Sequence, residues 1–415
     1  MVEILKQKTE VKIGINISNR GDCVKLSNAI LEVTDKELSY NTLRRLYHIV
    51  DGGKPSDKTL DILSQFNGYK NYQHFIDSFP YENSLKYYFE GFYLLSQTNS
   101  TELIDFIIRL KKFSKNFTTI LIQIIRELFY QENFQLINQI FNLDILKINN
   151  YTYDEVLQIG NSIGFIFRTK TTKTDKITIL LSNPNFQDMI LTVFVDYTAL
   201  NYYYGSWIKK LLVIEKRLFV KVFCKCILNL KNYLNNEEIK YKELFYKNNF
   251  HPILIGRVVS QKMFINDPTI SEDLNIISKL AKNVSSFNIQ YYYEIIFTTL
   301  CCKRFDIMSH IIEQFSHMRN FNYHYSIHHY AQFYLMCSIY YFKKKDIENY
   351  ELYRKRINED QLRLGYKNTL MLMLSILNFH TNKNEQHKIL KAYTKQSNLL
   401  GLKRINKSFL IHYFE

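Results

Sequence analysis

Two histidines, His324 and His328, stand four residues apart, a spacing that puts both on one helical face and can grip a metal ion. A zinc site also needs a third or fourth ligand, and His310, His317, His329, Asp306 and Glu313 supply none at a matching spacing, so these read as surface histidines and no metal is expected. Cys23, Cys224, Cys226, Cys301, Cys302 and Cys337 include a C-x-C and a C-C pair but nothing to complete a coordination shell. They read as buried thiols of a reducing, cytoplasmic protein. There is no phosphate-cradling glycine loop, no nucleophile elbow and no HExxH. With 12 glycines in 415 residues, a site built on tight backbone turns is not expected, nor is an enzyme or a bound cofactor. Two residue sets remain. One is basic and aromatic: Lys209, Lys210, Lys216, Arg217 and Lys221, in a stretch to Lys231 holding seven Lys/Arg and one Glu, beside Tyr202-Tyr203-Tyr204. Such runs serve as solvated helix faces or as nucleic-acid contacts, while Tyr202–Tyr204 and Tyr291–Tyr293 fit core packing better than base stacking. The other is the donor-rich run Ser39, Tyr40, Asn41, Thr42, Arg44, Arg45 and His48.

The elements that must position these groups are helices. Hydrophobic residues make up 46% of the chain, Tyr (32) and Phe (30) are abundant, Pro (5) is scarce, and no Pro follows Pro268. An all-α fold is expected, because all-β folds need frequent Gly/Pro turns. Asp22 is a plausible cap for a helix that buries Cys23, Leu26, Ile30 and Val33. Ser39 can cap a second helix with Leu43, Leu46, Tyr47 and Val50 inward and Tyr40, Asn41, Arg44 and Arg45 outward. Asp51-Gly52-Gly53-Lys54-Pro55 stops it. Ser56 caps a third, with Leu60, Leu63 and Phe66 inside, and Gly68 ends it. Tyr72, Phe75, Ile76 and Phe79 form a short fourth helix that Pro80 closes, giving a module over 1–80.

The run Ser39-Tyr40-Asn41-Thr42-Leu43-Arg44-Arg45-Leu46, the Gly53-Lys54-Pro55-Ser56 turn, and Thr59-Leu60-x-x-Leu63 with Gly68 resemble bacterial repressor-type helix-turn-helix domains. The resemblance covers about 60 residues. It implies that Ser39–His48 is a recognition helix, with Tyr40, Asn41, Arg44 and Arg45 facing the major groove and Ser39, Thr42 and Lys54 reaching phosphates.

Downstream, polar turns recur between amphipathic helices. Lys303-Arg304-Phe305-Asp306, Lys343-Lys344-Lys345-Asp346 and Asn382-Lys383-Asn384-Glu385 begin 40 and 39 residues apart. Helix pairs at this spacing resemble degenerate tetratricopeptide-like repeats. That implies an α-solenoid in two regions, 81–267 and 268–415, divided at Asn266-Asp267-Pro268, with a concave groove for a peptide or protein.

No apolar run is long enough to span a membrane, and Met1–Arg20 is too polar for a leader. The architecture looks like peptide-sensing transcription regulators: DNA contacted by a homodimer's N-terminal modules, a peptide or protein in the groove. Two other readings stay open. A scaffold or adaptor, for example a bacterial defence or stress-response component, fits the near-neutral module, where residues 1–80 hold 11 Lys/Arg and 10 Asp/Glu. RNA binding along Lys209–Lys231 fits the net charge of +15, nearly all of it downstream.

Overall fold

A computed structural model describes residues 1–52, 55–97, 100–114, 116–169, 174–282, 289–315, 326–362 and 364–415. Its described residues are mainly helical and contain no strand, as the composition leads one to expect. No helix among them is long and apolar enough to cross a membrane. The chain forms two compact units, Met1–Ile124 and Ile125–Glu415, and neither of the boundaries expected at 80 and 267 coincides with this division.

The first unit begins with a helix the sequence reading missed, α1 (Val2–Ile13). Its apolar signal is weak because Leu5, Lys6 and Thr9 are what it buries. Polar ties hold it: Asn67 Nδ2 donates to Thr9 Oγ1 at 2.8 Å, and Tyr47 donates to the Lys6 carbonyl at 3.3 Å. Helix α2 (Arg20–Thr34) starts earlier than Asp22, because Asn19 is the cap. Asp22 sits in the first turn, accepting from Ser18 N and Oγ, and the backbone bond from Ser18 is the main reason its pKa lies below the usual carboxylate range.

Helix α3 (Tyr40–Leu46) is capped by Ser39 as expected, the hydroxyl accepting from Thr42 N at 3.2 Å. It is shorter than the expected stripe. His48 turns left-handed at φ 58°, and Ile49 N bonds back to the Arg44 carbonyl, so Tyr47 and Val50 fall beyond the helix. Helix α4 (Asp57–Phe66) follows with Ser56 as cap, and Gly68 ends it at φ 89°. Cys23, Leu26, Ile30, Leu43, Leu60, Leu63 and Phe75 share one core. Ser39→Ala is expected to cost about 1 kcal/mol, speeding hydrogen exchange of residues 42–46 roughly fivefold, while α1 amides keep their protection.

Pro80 does not close the module. Helix α5 (Tyr72–Ser96) runs through it. Proline removes one intrahelical hydrogen bond, and packing of the later turns on α6 (Ser100–Phe113), where Gly91 abuts Phe106 and Leu94 is buried, carries the helix on.

Helix α7 (Phe117–Tyr130) crosses into the second unit, followed by α8 (Phe134–Phe141), α9 (Tyr153–Thr169), α10 (Thr174–Leu181) and a single turn, α11 (Pro184–Phe186). A π-helical turn, Gln187–Leu191, extends α11. Then come α12 (Tyr203–Ile214), α13 (Leu218–Leu234), α14 (Pro252–Phe264), α15 (Ile270–Lys282) and α16 (Gln290–Cys302). The last are α17 (Phe305–Phe315), α18 (Ser326–Lys344), α19 (Ile347–Arg354), α20 (Leu364–Thr381), α21 (Gln386–Leu400) and α22 (Lys407–Ile411). The three expected turns do separate the pairs α16/α17, α18/α19 and α20/α21, and Lys303 and Lys345 adopt left-handed φ there. Helices α14, α16, α18 and α20 pack in succession, so Pro268 divides no bodies. The C-terminal segment also returns to the middle of the unit: Arg404 N donates to the Leu234 carbonyl at 2.9 Å, and its guanidinium lies 3.8 Å from the Tyr233 ring centre.

Candidate functional site

The N-terminal candidate surface lies on α3. Ser39, Asn41 and Arg45 are exposed, whereas Tyr40, Thr42 and Arg44 are half-buried; Lys54 lies outside the described residues. Arg44 turns partly inward, Nη1 donating to Asn41 Oδ1 at 3.3 Å while Nε is sealed from solvent. Arg20 joins the face, its guanidinium 5.1 Å from the Tyr40 ring centre. The Arg45 stem rests on the Gly52 backbone, where an added Cβ would lie 2.6 Å from the Arg45 Cβ.

The basic stretch does not act as one surface. Lys209 and Lys216 are exposed and Lys210 and Lys221 half-buried. Arg217 is engaged within the protein. Its Nη1 donates to both Asp188 carboxylate oxygens at 2.8–2.9 Å, its Nε and Nη2 meet Glu215, and its Nη2 also meets Gln187 Oε1. Burial pushes Glu215 up, yet hydrogen bonds from the Arg217 side chain and from the Arg217 and Lys216 backbone outweigh it and hold its carboxyl low. Partial burial, then Lys209, lower the pKa of Lys231.

The tyrosine runs are mainly core. Tyr204 donates to the Leu191 carbonyl, Tyr292 shares a hydrogen bond with Ser278, Tyr293 is buried, and Tyr203 donates to Asp196 at 2.7 Å. Five cysteines are buried and Cys302 half-buried, which suits thiols acting as small apolar groups. Of the histidine pair, His324 and the side chain of His328 lie outside the described residues.

The second unit holds a site that sequence reasoning missed. A cavity of about 470 Å³ opens between α9, the π-helical turn, α13, α14 and α20. Its walls are apolar and aromatic, with Val156, Leu157, Phe219 and Phe223 among them, and its floor carries Arg257, Glu294, Tyr197 and Tyr366. Arg257 and Glu294 are 5% and 2% exposed, so this ion pair is withdrawn from water. Arg257 Nη2 donates to Glu294 Oε1 at 2.7 Å and to the Tyr197 hydroxyl at 3.0 Å. Tyr197 donates to Glu294 Oε1 and Oε2 at 2.9 and 3.0 Å, and Tyr366 donates to Oε1 at 2.5 Å. The two phenol rings stack with centres 3.8 Å apart. Burial opposes the charge on Arg257, but Glu294 first and the two tyrosines next raise its pKa well above the ordinary value; burial likewise raises both phenols. The floor therefore holds a charged guanidinium and neutral phenols.

Local devices deliver Tyr197, Arg257 and Glu294 to the floor. Asp196, fully buried, accepts from Thr198 N at 3.1 Å and shapes the turn Tyr197–Ala199. Gly256 lets α14 approach α16 so closely that an added Cβ would lie 2.0 Å from the Tyr291 carbonyl oxygen. Gly164 on α9 likewise faces Phe194. Asp188, on the π-helical turn, lines the wall, and burial raises its pKa against the pull of Arg217. The one signal in the sequence was a charge in the middle of each of two apolar helices, Arg257 in PILIGRVVSQKMF, which carries Lys262 only in its last turn, and Glu294 in QYYYEIIFTTLCC.

The chain matches no protein-family model, and no curated protein or solved structure is significantly similar to it.

Proposed function

We propose that the chain is a DNA-binding regulator whose N-terminal helices read the duplex and whose second unit binds a ligand, a peptide or a protein partner. The observation that carries the first half is the open Ser39, Asn41 and Arg45 face on the capped α3. Arginine pairs with guanine and asparagine with adenine edges in the major groove. As a regulator it would act as a homodimer, and its ligand must bind two arrangements of that dimer with different affinity to switch anything. The alternative is a scaffold or adaptor with no DNA readout; the near balance of 11 basic and 10 acidic residues over 1–80 favours it, because phosphate attraction dominates DNA affinity.

Selection of fragmented genomic DNA by the purified chain, at two salt concentrations, separates them. The wild type should enrich discrete sequences. Asn41→Ala/Arg45→Ala should lose that enrichment, each lost bidentate pair weakening the specific site by about 1–3 kcal/mol. Failure of the wild type to enrich any sequence, or retention equal in both proteins, would return the chain to the scaffold reading.

A further inference from the structure

We propose that the cavity above the Arg257–Glu294 pair binds a small uncharged molecule with an aromatic or branched apolar body and an amide carbonyl, such as a blocked amino acid. This names a site and a ligand class for the second unit and stands apart from the DNA reading. The volume, about 470 Å³, falls in the range of roughly 300–1,000 Å³ typical of small-molecule sites, and apolar walls with a few converging polar groups are their usual lining.

The charge of the ligand follows from what the floor has left to offer. Both oxygens of Glu294 are already met by Arg257 and the two phenols. Asp188 is met by Arg217, which Glu215 also engages. Arg257 spends Nη2 on Glu294 and Tyr197, and its Nε is sealed. Among the described residues no acceptor meets Nη1, which is not sealed as Nε is, on a side chain that lines the cavity. One donor is therefore unspent. An anion brought to it would be desolvated beside the two carboxylates that line the cavity, Glu294 and Asp188, and a cation would face the Arg257 guanidinium itself. A neutral carbonyl oxygen accepts from Nη1 without either cost, and the walls take the apolar body.

Three probes test this in isothermal titration with the full chain and no DNA: N-acetyl-L-phenylalaninamide, the carboxylate N-acetyl-L-phenylalanine and the amine L-phenylalaninamide. The neutral amide should bind at millimolar or lower concentration, and at least tenfold more tightly than either charged probe. Leu157→Trp, which fills the cavity wall, should weaken it about tenfold or more. Arg257→Met/Glu294→Gln, which removes the donor while leaving an acceptor for Tyr197 and Tyr366, should do the same. Unchanged Trp207 emission in the double variant and unchanged helical circular dichroism in both show that the fold persists. Absence of neutral-amide binding, tighter binding of a charged probe, or undiminished binding in both variants would each overturn the proposal. Because no arm involves DNA, failure here leaves the DNA reading standing, and the reverse also holds.

Discussion

Arg257→Met is expected to destabilise the Ile125–Glu415 unit by about 3–5 kcal/mol, because it leaves the Glu294 carboxylate buried without its counter-charge. Glu294 is 2% exposed, and water cannot replace the guanidinium at that depth. The phenols of Tyr197 and Tyr366 still donate to it, but two neutral hydrogen bonds do not balance a buried charge. Removing the charge at both ends tests whether this is the reason. Arg257→Met/Glu294→Gln keeps the two phenol bonds and discards both desolvation costs, so most of the lost stability should return. Trp207 is the sole tryptophan, fully packed between Phe167 and Tyr203 within this unit, so its emission during urea unfolding reads this unit separately from residues 1–124. The single variant should shift the midpoint strongly downward and the double variant only slightly. Equal shifts would mean that Arg257 matters through its packing on Phe223, 4.9 Å away, and not through its charge.

What the sequence made legible and what it hid differ for a physical reason. Helix caps and turn glycines act within a few residues, so Ser39, Ser56 and Gly68 were readable where they stand. The three polar turns from Lys303 onward were readable for the same cause, because each interrupts an apolar period. Helix α1 was not, since it is held by Asn67 and Tyr47, 58 and 41 residues away, and shows little apolar pattern of its own. Arg217 illustrates the limit for charged residues. A basic run in sequence looks like a positive surface, yet Asp188, 29 residues earlier, claims that guanidinium. The cavity floor is the extreme case. Glu294 gathers partners 37, 72 and 97 residues away, and none has a local reason to be polar. A lone charge in an apolar helix signals only that some partner exists; the partner's identity is a property of the packing.

That packing depends on one glycine, and the second large effect is expected there. Gly256→Ala should destabilise the Ile125–Glu415 unit by about 2–3 kcal/mol or more, although alanine is the better helix former by about 1 kcal/mol. The new methyl would lie 2.0 Å from the Tyr291 carbonyl oxygen, a backbone atom that cannot rotate aside. Helices α14 and α16 must therefore separate. The contact sits one residue before Arg257 and three before Glu294, so any separation lengthens the 2.7 Å ion pair at the cavity floor. A cost confined to the helix contact would leave ligand affinity in the surviving folded protein unchanged. Displacement of the floor would lower affinity for N-acetyl-L-phenylalaninamide along with stability. Gly14→Ala provides the contrast: at φ 72° with nothing within 4 Å of its added methyl, it is strained in backbone alone and lies far along the chain, in the other unit. It should leave both the Trp207 unfolding midpoint and amide binding as they are. If Gly256→Ala proves no worse than Gly14→Ala by Trp207 emission, the close approach of α14 and α16 is not what aligns Arg257 with Glu294.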